Sequence, residues 1–106
     1  LSKERQTERY SIGSTAEFVF DGAYYQTVVS NTSMGGVLLE LNTTVPLGIF
    51  VGFVMDIRLF DIFSDLNYVY PAKVMRKGEK EFAVEFLQPL TSSQEKFLKR
   101  WLGWQP

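Results

Sequence analysis

A chain of 106 residues suits one domain around one hydrophobic core, and 45% hydrophobic with 22% charged residues is ordinary for a globular fold. A net charge of −1 gives no global field to draw in a nucleic-acid duplex or an anionic membrane, so any anion site must be local. The absence of cysteine and histidine excludes disulfides, thiolate catalysis, cysteine-based zinc sites and the commonest general base.

Residues 1–12 carry Lys3, Glu4, Arg5, Glu8 and Arg9 without an apolar period. They read as a polar arm ahead of a core domain at 13–106. The chain opens on Leu1 with no signal-peptide pattern, so a domain cut from a longer protein is expected. An aromatic share of 15%, led by nine Phe and five Tyr, favours β structure, because flat rings pack well on a pleated surface. Thr15 to Phe20 alternates, Asp21-Gly22 signals a hairpin, and Tyr24 to Ser30 resumes a strand. "SNTSMGGVLLE", Ser30 to Glu40, then sets an amide, hydroxyls and paired glycines before a third strand at about Val37 to Leu41.

Pro46 and Gly48 punctuate a loop. Val51, Phe53, Met55, Ile57 and Leu59 alternate with Gly52, Val54, Asp56, Arg58 and Phe60, which predicts a long fourth strand with one apolar face. A connector around Asp61 to Asn67 leads to a fifth strand near Tyr68 to Arg76, where Pro71 predicts an edge or a bulge. Lys77-Gly78-Glu79 is a turn, and Phe82, Val84 and Phe86 mark the inner face of a sixth strand. A helix over about 92–103 follows, with a capping box predicted at Ser92 and Glu95. Its apolar face is Phe97, Leu98, Trp101 and Leu102, and Lys96, Lys99 and Arg100 form a solvated basic end that suits the helix dipole. No apolar stretch approaches the ~20 residues of a membrane span. Six short strands and a terminal helix predict an antiparallel barrel or sandwich plugged by the helix.

Enzymatic chemistry finds no support. Glu81 and Glu85 fall on an outward strand face and Glu79 in a turn, where no burial raises a carboxyl pKa for acid–base work. Asp56, Asp61 and Asp65 lack the spacing of a calcium loop, and no serine has a histidine partner. Binding is better supplied. Arg5 and Arg9, as R-x-x-x-R, offer two planar forks that match phosphate oxygens or the O6/N7 edge of guanine. Taken alone they read as a solvated arm, beside Glu4 and Glu8. Asn31, Ser33 and Gly36, as N-x-S-x-x-G, offer an amide, a hydroxyl and an open backbone; taken alone they read as a turn. Asn31-Thr32-Ser33 and Asn42-Thr43-Thr44 also spell glycosylation sequons, as a secreted β-domain would carry.

The two binding motifs together, in this order and around these strands, resemble the PilZ domain family. "GEKEFAVEFL" (Gly78 to Leu87) is similar to the family's penultimate hairpin and last strand, and "SSQEKFLKRWL" to its C-terminal helix. The resemblance implies a mainly β fold: a six-stranded antiparallel Greek-key-like barrel with a C-terminal α-helix. It implies a cytoplasmic receptor for cyclic diguanylate, a bacterial second messenger, with no cofactor and no DNA, RNA or membrane insertion, either free-standing or as part of a larger membrane-attached protein. Arg5 and Arg9 would clamp phosphates and guanine edges, Asn31 a guanine edge, and Ser33 a phosphate or base atom. Gly36 would let the ligand lie close, and Gly35 would serve the turn or the site. The ligand would order a mobile arm and so signal to an attached domain or partner protein. Two positions depart from the common pattern. Glu4 stands where the family often has a further arginine, and Asn31 where it often has aspartate. The competing expectation is a PilZ-like protein–protein adaptor without nucleotide, with Ile62, Phe63, Trp101 and Trp104 as contact candidates.

Overall fold

The computed structural model describes residues 15–60 and 66–102. Six strands, β1 (Thr15–Phe20), β2 (Ala23–Thr32), β3 (Gly36–Glu40), β4 (Val54–Phe60), β5 (Asn67–Lys77) and β6 (Glu81–Phe86), precede one helix, α1 (Ser92–Leu102). Asp21 and Gly22 take positive φ values of 52° and 80° and close the β1–β2 hairpin in unbroken register from Phe20↔Ala23 to Thr15↔Val28. Two left-handed residues are what a tight hairpin turn needs to match strand twist. The meanders β1-β2-β3 and β4-β5-β6 join through β3·β6 and β1·β4, giving a closed antiparallel barrel in the order β1-β2-β3-β6-β5-β4. The fold is therefore the mainly β, six-stranded barrel with a C-terminal helix expected from the sequence.

Period-two alternation sends Ala16, Phe18, Val29, Leu39, Ile57, Leu59, Val74, Phe82, Val84 and Phe86 into one core. The two ends of the barrel are closed differently. The β3–β4 connection buries Val45 and Ile49, and its backbone is tied to the β5–β6 turn by Val45 N to Glu79 O at 2.8 Å. Lys77, at the end of β5, adds an ammonium bond to Pro46 O at 3.1 Å. Helix α1 lies against the start of β5 and buries Phe97, Leu98 and Trp101. Trp101 is thus a core residue and drops out of the adaptor surface, while Ile62, Phe63 and Trp104 lie outside the described residues.

Three local expectations are corrected. The fourth strand begins at Val54 and not at Val51, because residues 50–53 form a turn with Gly52 at φ 98° and Phe53 N bonded to Phe50 O at 2.9 Å. Phe53 is held by edge contacts with Phe20 and Phe50, which accounts for its apolar character outside a strand. Pro71 marks neither an edge strand nor a bulge, only a local edge where the neighbouring strand stops. It stands opposite Asp56 inside the closed barrel, and its carbonyl accepts from Leu87 N at 2.8 Å. A strand residue's N–H and C=O point the same way, so the missing donor faces the place where β6 has already ended at Phe86.

The capping box sits one residue earlier than predicted, on Thr91 and Gln94. Thr91 Oγ1 accepts from Gln94 N at 3.1 Å, and Gln94 Oε1 accepts from Thr91 N at 2.8 Å. Gln94 Nε2 also donates to Val69 O at 2.9 Å, a bond that a glutamate at this position lacks the N–H to make. The Tyr70 hydroxyl donates to Gln94 O at 2.7 Å, and burial, with a smaller effect of Tyr68, holds this phenol above its ordinary pKa so that it remains a donor. Thr91→Ala is expected to lower stability by ~1 kcal/mol, read as a fall of several degrees in the thermal midpoint.

Candidate functional site

Strict alternation would send Asn31, two residues after the buried Val29, into the core beside Val37. A bulge prevents this. Pairing runs Val29↔Leu39 and then Asn31↔Leu38, so Ser30 is the extra residue and Asn31 is turned to the outer face. The bulge has a local cost, since the Ser30 hydroxyl oxygen is buried without a hydrogen-bond partner among the described residues. Asn31 is therefore a strand residue and not part of the turn. Its side chain is exposed and makes no hydrogen bond to a described residue.

The hairpin tip beyond Asn31 is held by its own polar groups. Ser33 N donates to Gly36 O at 3.0 Å, Ser33 Oγ accepts from Gly35 N at 3.1 Å, and Phe86 N donates to Gly35 O at 2.8 Å. The tip is thus stitched both to itself and to β6. The two glycines differ in what surrounds them. A Cβ on Gly36 would fall 2.1 Å from Val84 O, so the neighbouring strand already requires glycine there. A Cβ on Gly35 would meet nothing nearer than Ser33 Oγ at 3.7 Å. The room for a ligand to approach the backbone is therefore at Gly35.

These residues line one open cleft of about 400 Å³ on the outer face of β2, β3, β6 and β5. Asn31, Ser33, Gly35 and Gly36 form one wall, Leu38 and Ala83 the floor, and Arg76 and Glu85 the far side. Other concavities reach similar volumes, about 340 to 460 Å³, so size does not single this one out. What distinguishes it is that it gathers every predicted site residue in the described part of the chain. Arg5 and Arg9 lie outside the described residues.

Arg76 was missed by sequence reasoning, although a signal for it exists. It stands two residues after the buried Val74, where alternation would bury a guanidinium. A second bulge resolves the conflict: Val74↔Val84 is followed by Arg76↔Ala83, with Met75 as the extra residue. A charge at core parity at the end of an apolar alternation is a legible sign of such a bulge.

With the barrel, the helix and the cleft in place, comparison with known proteins is decisive. The sequence profile of the PilZ domain matches residues 3–104. The chain belongs to the PilZ domain family. Its fold is similar to the crystal structure of the PilZ domain of CeSA from a cellulose-synthesizing bacterium, with a TM-score of 0.63 and 18% identity over 82% of this chain and 86% of that one. At that identity the likeness speaks for the fold alone. No curated protein matches the chain. PilZ domains are a family of cyclic diguanylate receptors, a binding and adaptor family and not a family of enzymes. Among the described residues no helix is long and apolar enough to cross a membrane.

Proposed function

We propose that this PilZ domain is a cytoplasmic sensor of cyclic diguanylate, bound in the cleft on β2, β3, β6 and β5. The observation that carries this reading is the convergence of Asn31, Ser33, Gly35 and Gly36 on one cleft by means of a bulge that exposes Asn31. A device that turns one polar side chain outward, at the cost of a buried unpaired hydroxyl, serves presentation better than it serves the barrel. Asn31 addresses a guanine edge, Ser33 offers its hydroxyl, and Gly35 admits the ligand to the backbone.

Charge explains why the arm is needed. Among the described lining residues Arg76 and Glu85 cancel, whereas the ligand carries two phosphates. The missing positive charge comes from Arg5 and Arg9, whose forks close on phosphates and guanine acceptors. Binding thereby fixes the arm to the barrel, at an entropic cost, and re-aims an attached domain or partner protein.

Calorimetric titration with cyclic diguanylate tests the reading: saturable heat supports it, and no heat at high ligand concentration overturns it. An adaptor without nucleotide is the second reading. It is favoured by the exposed apolar side chains Leu47, Phe50, Val51 and Val54, and it gains if the titration is silent. Within the sensor reading, Asn31→Asp restores the carboxylate more usual in the family. A charged acceptor holds guanine N–H groups more strongly than an amide oxygen, so this variant is expected to bind several-fold tighter in the same titration.

A further inference from the structure

We propose that Arg76 on β5 is a third cationic contact to the ligand, reaching it from the side opposite Asn31. The inference rests on the cyclic diguanylate reading and adds to it a residue that neither binding motif contains. Three observations carry it.

First, Arg76 and Asn31 share one transverse row of the outer face. The pairs Asn31↔Leu38, Leu38↔Ala83 and Ala83↔Arg76 run straight across four strands. The row covers three strand spacings, ~14–15 Å measured along the curved sheet, over a floor made of Leu38 and the short Ala83. A ligand resting on that floor meets an amide at one end and a guanidinium at the other.

Second, each end of the row owes its outward direction to a bulge immediately before it, at Ser30 and at Met75. Two separate interruptions of the ladder, on strands that do not touch, present their next residue to the same row.

Third, the guanidinium is uncommitted. Arg76 is exposed and makes no hydrogen bond or ion pair with a described residue. The bulge divides two adjacent cations: Lys77 turns to Pro46 O at 3.1 Å and helps close the barrel end, while Arg76 turns to the cleft. Glu85 occupies the next row, opposite Gly36 and Lys73, and forms no ion pair with Arg76. A planar five-donor fork in this position suits paired acceptors, either phosphate oxygens or O6 and N7 of guanine.

The experiment is calorimetric titration of the 106-residue protein with cyclic diguanylate, comparing the parent with Arg76→Ala, Arg76→Gln and Arg76→Lys. Arg76→Ala is expected to weaken binding roughly 10- to 100-fold, as loss of a charge-assisted hydrogen bond implies. Arg76→Gln keeps most of the side-chain stem and is expected to fall in the same range, which separates lost charge from any disturbance of β5. Arg76→Lys keeps the charge without the fork: retained affinity shows that charge at this position suffices, and loss shows that the contact needs the planar pair of donors. Parent-like affinity in Arg76→Ala, with a parent that saturates, overturns the role of Arg76 and leaves the sensor reading standing. A parent that shows no binding overturns both.

Discussion

Arg5→Ala and Arg9→Ala are each expected to weaken cyclic diguanylate binding by at least ~100-fold, and together to abolish it. A charge-assisted hydrogen bond contributes about 1.5–3 kcal/mol, and a bidentate fork makes two of them. Loss of both bonds therefore exceeds the 2.8 kcal/mol or so that separates a 100-fold change in affinity. The described cleft offers no surplus charge to compensate, because Arg76 and Glu85 offset one another. Lysine at either position is expected to rescue only in part, since an ammonium supplies charge without the fork. The thermal midpoint of the unliganded protein is expected to change by no more than a few degrees, because residues 1–12 carry no apolar period and polar substitutions of that kind usually change stability by less than ~0.5 kcal/mol. Titration and a melting curve check this together. Parent-like affinity in both variants would move the binding site away from the arm.

The second large effect concerns stability. Gly36→Ala is expected to destabilise the barrel by ~3 kcal/mol, at the upper end of the range for overpacked sites. The added carbon would lie 2.1 Å from Val84 O and 3.1 Å from Glu85 Cα, both backbone atoms of the paired strand. A flexible side chain could move aside; a strand in the middle of a closed barrel cannot do so without opening β3·β6. Gly35→Ala is the matching control. Its new carbon makes an ordinary 3.7 Å contact, so folding is expected to be unchanged while ligand approach is obstructed. Melting curves and titrations of the two variants thus separate the glycine required by the fold from the glycine that leaves room for the ligand. Equal stability of Gly36→Ala and the parent would refute the packing account.

Much of the barrel was legible because its signals are local and repeated. Phe82, Val84 and Phe86 alternate without interruption, Asp21-Gly22 supplies both left-handed residues of a hairpin, and Phe97, Leu98 and Trp101 repeat at helical spacing. The failures occur where a second element decides between local options. Thr91 with Gln94 and Ser92 with Glu95 fit the same capping pattern, and the choice follows from Val69 O, which needs an N–H from Gln94. Pro71 is tolerated because β6 ends opposite it, a fact set by register and not by proline. The alternation from Val51 to Leu59 begins three residues before its strand because aromatic packing also selects apolar side chains. At the candidate site the motif residues were readable from spacing, whereas Arg76 required knowing that Met75 is a bulge.

The paired bulges have a consequence for how such a barrel can change over time. One added residue in a pleat acts as a frameshift: everything beyond it exchanges inside for outside. In β2 the shifted stretch ends within three residues, at the hairpin, and in β5 it ends at the Lys77 turn, so each shift is confined to a strand tip. The buried layers upstream, Val29 with Leu39 and Val74 with Val84, keep their original frame. A barrel built in this way can rewrite the chemistry of its outer wall by single-residue insertion near a turn while its interior stays as it was.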